Sequence, residues 1–556
     1  MKPKLLKNFL IASLVFSVSL LLRLPYFAKY PLFRSDELYE NLWSYLIASE
    51  GFFPLTNTVP FIGALYNYLV AIFYMFLHSS WGFRLLAVLA GSITPVILYF
   101  VAYNITGSRV IGLLSSIILA STPPHVLVAS HVAWSASLSP LFLTLSLYAL
   151  WKSFKTKSKF WWVIAGITVG LTVQTHPSTI ASYAGLALAA LYALKARRVI
   201  GVISLGSIWC FIAGFLLGYI NMVLYNILHP LHSVFFVFQA KWTGLSSGFT
   251  VFEYFRRLWF IVLEYFTMFP SGIPVITLPY HAKQPLFYVF LSSFIALTVL
   301  ATVKSRVGRA LAIYIATTLC VLAIGTRGAM TFNIFGFAWG PHYLQQLTPL
   351  IAFLLSLGVR SMWGFKTKHV SVLKKFAKTL LLIVVIFMII VWPLLNMFGT
   401  LAFMDKSDYT NEIFLNAIYA VKKKFENIPV YVMYEVPYRD PALTTFHLVA
   451  VLEKINVYPK MNKEVIVGLR EAALKGVSKE VKEKYVKKII EESNREFLKD
   501  IHRFGKGILI TNPKEPTHKA LQQLKLVGFT IVHEEVVRAS NILVYKVVVI
   551  GIAKTS

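Results

Sequence analysis

The chain reads as an α-helical polytopic membrane protein of about eleven spans that ends in a soluble α/β domain. Three observations predict this class. Hydrophobic residues make up 57% of its 556 positions and mean hydropathy is +0.66, well beyond what the core of a water-soluble globule of that length requires. Charged residues amount to only 14%, and up to about residue 404 they fall in short stretches between apolar runs. Past that point charges of both signs become frequent and strand-like runs appear. The expected organisation is therefore a membrane domain over 1–404 and an extracytoplasmic α/β domain over 405–556.

Apolar segments approaching the ~20 residues that cross a hydrocarbon core fall near 9–25, 82–104, 110–128, 137–152, 160–175, 179–194, 199–226, 285–303, 310–324, 343–359 and 379–399. The first has a basic start but no small-residue cleavage site, and it runs into Arg23-Leu24-Pro25, so it is expected to stay as an anchor. Basic residues cluster at Lys2, Lys4 and Lys7, at Arg109, at Lys152 to Lys159, at Lys195 to Arg198, at Lys304 to Arg309, and from Arg360 to Lys378. With this set of spans all of these clusters lie on one face, the cytoplasmic one by the positive-inside rule. Arg256 to Phe269 is apolar but short, and crossing there would move the later basic loops to the other face. It is expected to be an interfacial or re-entrant helix. The opposite face then receives Asp36 and Glu37, the loops at 123–140, 176–177, 229–285 and 325–342, and the C-terminal region.

In that region Val430 to Tyr434, Gly507 to Thr511, Gly528 to Val532 and Ile542 to Val548 have strand character, and Lys479 to Lys499 a charged helical one. No phosphate-binding glycine loop, paired-carboxylate constellation or nucleophile elbow occurs there. The region is expected to act as a lid or an acceptor-recognition module. Its wealth of Lys and Glu is compatible with a thermophilic source.

The formal charge of +30 is spread over short loops without a nucleic-acid recognition module, so nucleic acid is not an expected partner and membrane topology accounts for much of the excess. Cys210 and Cys320 each sit in an apolar stretch, which excludes a disulfide framework and suggests small core residues. Acids are the rarest feature of the first four hundred residues: Asp36 is the single aspartate, accompanied by Glu37, Glu40, Glu50, Glu253 and Glu264. An ionisable pair where a span meets water marks a functional site, and Ser35 and Asp36 also suit the start of a helix.

Several motifs resemble the opening of GT-C glycosyltransferases, in particular the group of protein O-mannosyltransferases and lipid A aminoarabinose transferases. These are Leu22-Arg23-Leu24-Pro25-Tyr26, Arg34-Ser35-Asp36-Glu37-Leu38-Tyr39, Pro60 to Tyr68 and Phe83-Arg84. Ser121 to Ser135, with His131 and Trp134, is similar to that group's second outer loop, and Pro341-His342-Tyr343-Leu344 with Pro349 to the element before its late span. The resemblance covers roughly the first 360 residues, and the Asp-Glu pair is its most specific part. The chain departs from the group at Ala64, where many relatives carry proline, and in the second loop, where many carry a further acid or arginine.

The resemblance implies a donor sugar on a polyprenyl (dolichyl-type) phosphate and an acceptor hydroxyl on a protein, a glycolipid or a lipid-linked glycan, with membrane lipids around the enzyme. On it, Asp36 is the expected general base of an inverting displacement and Glu37 its orienting neighbour. Cations to neutralise the leaving phosphate are expected among Arg34, Lys241, Arg256, Arg257, Arg327 and His342, with Tyr343 as a further donor. Arg256 and Arg257 equally suit headgroup anchoring of an interfacial helix. Tyr66, His131, Trp134 and Trp242 are candidate contacts to sugar or acceptor. The histidines show no compact metal spacing, and a divalent ion prefers several hard oxygen ligands, so metal use stays open. The rival classes are a polytopic transporter, which should carry inverted repeats and mid-span ionisable groups, and a non-catalytic binder of envelope glycans.

Overall fold

The computed structural model describes residues 3–29, 35–77, 82–127, 129–194, 203–239, 250–269, 285–325, 340–363, 372–406, 412–424, 428–432, 441–452, 457–458, 495–501, 503, 506–511, 529–538 and 544–552. Contacts divide the chain into two compact units, one of Met1–Phe27, Pro54–Tyr66 and Arg84–Ala402, the other of Ala28–Phe53, Asn67–Phe83 and Phe403–Ser556. The second unit thus begins beside the expected division at 404/405 but also takes up two N-terminal stretches, including Asp36 and Glu37.

The described residues of each expected span are largely helical. In chain order the helices are α1 (Pro3–Arg23), α2 (Ser35–Glu50), α3 (Leu65–Leu77), α4 (Gly82–Thr106), α5 (Arg109–Ser121), α6 (Pro123–Leu127), α7 (Ser139–Thr156), α8 (Lys159–Thr175) and α9 (Thr179–Leu194). There follow α10 (Leu205–Gly218), α11 (Ile220–Leu228), α12 (His232–Gln239), α13 (Val251–Met268), α14 (Pro285–Lys304), α15 (Arg306–Gly325) and α16 (Thr348–Trp363). α17 (Val372–Ile386) continues through a π-turn at Phe387–Val391 into α18 (Trp392–Lys406), and α19 (Glu412–Lys424) and α20 (Pro441–Leu452) complete the set. Among the described residues five helices are long and apolar enough to cross a bilayer, beginning with Leu6–Arg23 and Gly82–Thr106, and a sixth arises if α10 and α11, bent by 77°, form one broken span. Leu65–Leu77, Arg109–Ser121 and Thr179–Leu194 are apolar but shorter.

The first unit is a helical bundle. α8 packs against α10 and α7, α9 against α15, and α16 against α14 and α5. Its core includes Leu98, Ile118, Phe290, Tyr314, Phe353 and Trp392, all essentially buried. Large apolar side chains also face outward, among them Leu14, Leu21, Phe160, Trp209 and Leu217, as expected of a surface that meets lipid. The expectation that both cysteines pack in the core is corrected: Cys320 is exposed and Cys210 half-buried, because each lies on the outward face of its helix. α1 buries Val15, Ser19 and Arg23, spaced four apart, and this stripe faces α5. Gly107, at φ 71, supplies the left-handed turn that lets α4 reverse into α5.

The second unit contains a five-stranded sheet of order β2-β1-β3-β5-β4, built from β1 (Val430–Val432), β2 (Val457–Tyr458), β3 (Lys506–Thr511), β4 (Phe529–Arg538) and β5 (Val544–Ile552). β1 pairs in parallel with β2 and β3, whereas β5 runs antiparallel between β3 and β4. All four runs with strand character overlap these strands. Residues 495–501 of the expected charged helix are helical and 479–494 lie outside the described residues. Phe497 and Ile501 pack with Tyr431, Leu509 and Val548 on one face of the sheet. Within the same unit α20 lies against α2 and α19, and the Tyr74 hydroxyl donates to the Leu452 carbonyl at 3.1 Å.

Candidate functional site

In the second unit α2 starts at Ser35, which puts Asp36 and Glu37 in its first turn, where free N–H groups and the helix dipole favour carboxylates. The Asp36 side chain lies outside the described part. Glu37 is fully buried, as are Asn41, Leu38 and Leu42, so α2 turns an acid-bearing face inward. Asn41 Nδ2 donates to the Glu37 carbonyl at 2.6 Å, and Asn67 Nδ2 to that of Glu40 at 2.7 Å, which fixes the helix that carries the pair. Arg34 lies outside the described residues.

In the first unit Tyr66, the second residue of α3, is buried at the end of a fastened loop. Thr56 bridges Gly63, Asn57 N–H donates to the Ile62 carbonyl at 2.8 Å, and Gly63 N–H donates to the Gln174 carbonyl at 2.9 Å. A Cβ at Gly63 would sit 3.0 Å from that of Gln174, so glycine permits the close approach. Ala64 N–H donates to the Leu55 carbonyl at 3.3 Å, a bond that a proline at this position could not make.

The loop between α5 and α7 buries several polar side chains. Arg23, the last residue of α1, is fully buried, as are His125, Ser130 and His131, and Trp134 is nearly so. Arg23 Nη1 donates to Ser19 Oγ at 2.7 Å and to the carbonyls of Ser19 and Ala120 at 2.9 and 3.2 Å. Its Nε donates to Ser130 Oγ at 3.0 Å, and Nη2 lies 2.6 Å from His125 Nδ1. The Arg23 carbonyl in turn accepts from His131 Nε2 at 2.7 Å. Trp134 precedes the 3-10 turn Ser135–Leu138, and its carbonyl accepts from Ser137 Oγ at 2.6 Å.

A second 3-10 segment, Gly340–Leu347, carries His342 and Tyr343, whose side chains lie outside the described part. It docks through two glutamines: Gln345 Nε2 donates to the Ala136 carbonyl at 2.7 Å and Gln346 Nε2 to that of Ser178 at 3.2 Å. Because each nitrogen meets a carbonyl, each Oε1 is the atom left over, and both are buried without a hydrogen bond among the described residues. Polar atoms in that state are where water or a polar ligand settles. Beside them His176 Nδ1 is 2.8 Å from Ser178 Oγ, and burial pushes its pKa down to about 4. The structure thus joins the His131–Trp134 loop, the 176–178 turn and the His342–Tyr343 segment.

α13 packs on α15 and on the same 3-10 segment. Glu253 takes both arginines: Arg256 Nε at 2.7 Å, Arg256 Nη2 at 2.9 Å and Arg257 Nε at 2.9 Å. These bonds, from Arg256 first and then Arg257, hold the Glu253 carboxyl down to about 2. Arg257 is buried, with Nη1 donating to the Ile324 carbonyl at 3.3 Å, while Arg256 is exposed beside Phe252, Phe255 and Trp259. Lys241, Trp242 and Arg327 lie outside the described residues. Among the described residues no three His, Cys, Asp or Glu side chains gather to hold a metal ion.

Arg23, His125 and the two glutamines were not singled out as site residues from the sequence. The signals for Arg23 were its place in the Leu22–Tyr26 motif and its position closing an apolar span without an acid nearby; the glutamines carried none.

Residues 61–236 match the family model described as dolichyl-phosphate-mannose-protein mannosyltransferase, a GT-C family, which bears out the resemblance to the protein O-mannosyltransferase-like group. The stretch includes Tyr66, His131 and Trp134 and begins after Asp36 and Glu37. No curated protein matches the chain significantly.

Proposed function

We propose that the protein is an integral-membrane, inverting glycosyltransferase that moves a sugar from a polyprenyl (dolichyl-type) phosphate to an acceptor hydroxyl on the extracytoplasmic face. The family match over residues 61–236 carries this reading, since a membrane enzyme of that group uses a dolichyl-phosphate sugar and a protein acceptor. Which hexose or pentose is used, and whether glycolipids also serve as acceptors, is set by the shape of the pocket.

In the proposed step the acceptor oxygen attacks the anomeric carbon from the face opposite the phosphate. The bond from that carbon to the phosphate oxygen breaks, and the electron pair leaves with the polyprenyl phosphate. Asp36 takes the hydroxyl proton, as a general base placed in a helix first turn, and Glu37 orients the acceptor or the base. The leaving charge is met by cations from the set Arg34, Lys241, Arg256, Arg257, Arg327 and His342, with Tyr343 donating a hydrogen bond. Glu253 already neutralises one of the charges on Arg256 and Arg257, so that trio contributes one net positive charge. Tyr66, His131, Trp134 and Trp242 would line the sugar and acceptor side.

The test is to incubate purified protein with a panel of polyprenyl-phosphate sugars and acceptors, and to identify the product by mass. Wild type should give a glycoside, and Asp36→Asn should bind donor without transfer. Vesicle uptake of a solute with no covalent product would instead indicate a transporter, and glycan binding without turnover a scaffold.

A further inference from the structure

We infer that Arg23 is the positioning residue for the second outer loop, residues 122–134, and through it sets where His131 and Trp134 stand. This rests on the reading above that these two residues meet the acceptor or the sugar. Arg23 is wholly buried, and among the described residues none of its partners is a carboxylate. A buried cation gains little from neutral acceptors by Coulomb attraction and loses its hydration. What the side chain supplies is direction: one planar fork reaches back to Ser19 on its own helix, sideways to the Ala120 carbonyl in the last turn of α5, and forward to His125 and Ser130.

The loop closes around this fork. Ser130 Oγ, which accepts from Arg23 Nε, donates to the His125 carbonyl at 2.6 Å, and the Ala129 N–H reaches the Pro124 carbonyl at 3.3 Å. The backbone of the arginine contributes as well, since its carbonyl takes His131 Nε2 at 2.7 Å and so sets the tilt and protonated nitrogen of that ring. Guanidinium groups only donate, so His125 must offer a lone pair at Nδ1 and carry its proton on Nε2, where among the described residues it is buried without an acceptor. A ring left with an unpaired N–H is held by the contact on its other side. Space beside the fork is also closed: a Cβ at Gly91 would stand 2.8 Å from that of Ser130 and 3.1 Å from Arg23 Nε.

Three variants test this. Arg23→Lys keeps the charge and loses the fork, Ser130→Ala removes one arm and leaves the arginine in place, and Gly91→Ala wedges the two apart. Hydrogen–deuterium exchange on the full-length protein in nanodiscs should accelerate about tenfold in 122–134, the loss of roughly one hydrogen bond, while the amides of α8 and α10 keep wild-type rates. With dolichyl-phosphate-mannose as donor and a Ser/Thr peptide as acceptor, the peptide KM should rise by about the same factor and the donor KM stay put. Loop exchange that is unchanged, or raised uniformly across the bundle, overturns the inference. So does a loosened loop with an unaltered peptide KM. His131→Ala and Trp134→Ala separate the two layers: if both keep the peptide KM and a wild-type exchange pattern, the proposed roles of those side chains fail. The exchange measurement on the three variants then still decides what Arg23 holds.

Discussion

Replacing Gly170 with alanine tests how the bundle is held together. Gly166 and Gly170 on α8 face Gly214 and Gly218 on α10, a small-residue pairing that brings two backbones into contact. A Cβ at Gly170 would stand 2.6 Å from the Phe215 carbonyl oxygen, 2.8 Å from the Gly218 carbonyl carbon and 2.9 Å from Tyr219 nitrogen. The first of these is about 0.8 Å inside the 3.4 Å at which ordinary contact begins, and all three obstacles are backbone, so the helices themselves must part. A gap of that order forfeits a quarter to a half of each dispersion contact along the interface, and overpacking of this kind costs about 1–3 kcal/mol. The unfolded-to-folded ratio should therefore rise about 5- to 150-fold. Reversible unfolding in mixed detergent micelles, followed by circular dichroism, measures it. Gly399→Ala in α18 is the control, because nothing lies within 4 Å of its new methyl and alanine is the better helix former, by about 1 kcal/mol. Gly170→Ala as stable as wild type would refute the claim that close backbone packing binds α8 to α10.

Asp36→Asn should lower transfer by about 10²- to 10⁴-fold at unchanged donor affinity, the range for losing a general base; retained turnover removes the assignment. The Glu253 carboxyl, held to about 2 against an ordinary 4.5, keeps its arginine clamp intact above pH 4.5 and releases it as pH falls through about 2. Protease sensitivity of 250–269 should accordingly be flat from about pH 7 to 5, and Glu253→Gln should show at neutral pH the sensitivity that wild type acquires only in strong acid. His176, depressed from 6.5 to about 4, acts in the same direction at higher pH, because here too the unfolded chain takes up the proton first. Melting temperature should hold above pH 6.5 and fall as pH drops toward about 4, with a shallower fall in His176→Asn. External protease on right-side-out vesicles should trim the chain beyond residue 404 and spare the loop at Lys366; the reverse pattern inverts the proposed orientation.

How much of this was legible in the sequence follows from the range of the forces involved. Hydropathy is a local sum, so the described residues of the expected spans are largely helical, and alternation over a few residues was enough to mark four of the five strands. The resemblance in the second loop likewise needed only neighbouring residues, and the family match over 61–236 agrees with it. Which face of each helix turns inward was not readable: both cysteines sit in apolar runs yet neither is core, because an apolar helix in lipid shows no hydrophobic difference between its faces.

The sequence by itself determined a basic-looped helical bundle, a strand-rich C-terminal region and, beside a glutamate at the start of a helix, the single aspartate of the first four hundred residues. Tertiary structure decided the rest. The Arg23–Ser130 bond joins positions 107 apart and the Gln345–Ala136 bond positions 209 apart. No local pattern encodes such partners, since a buried donor is satisfied by whichever acceptor folding brings within reach. That is also why two arginines which looked like free cations in the sequence are found on one glutamate a single helical turn away.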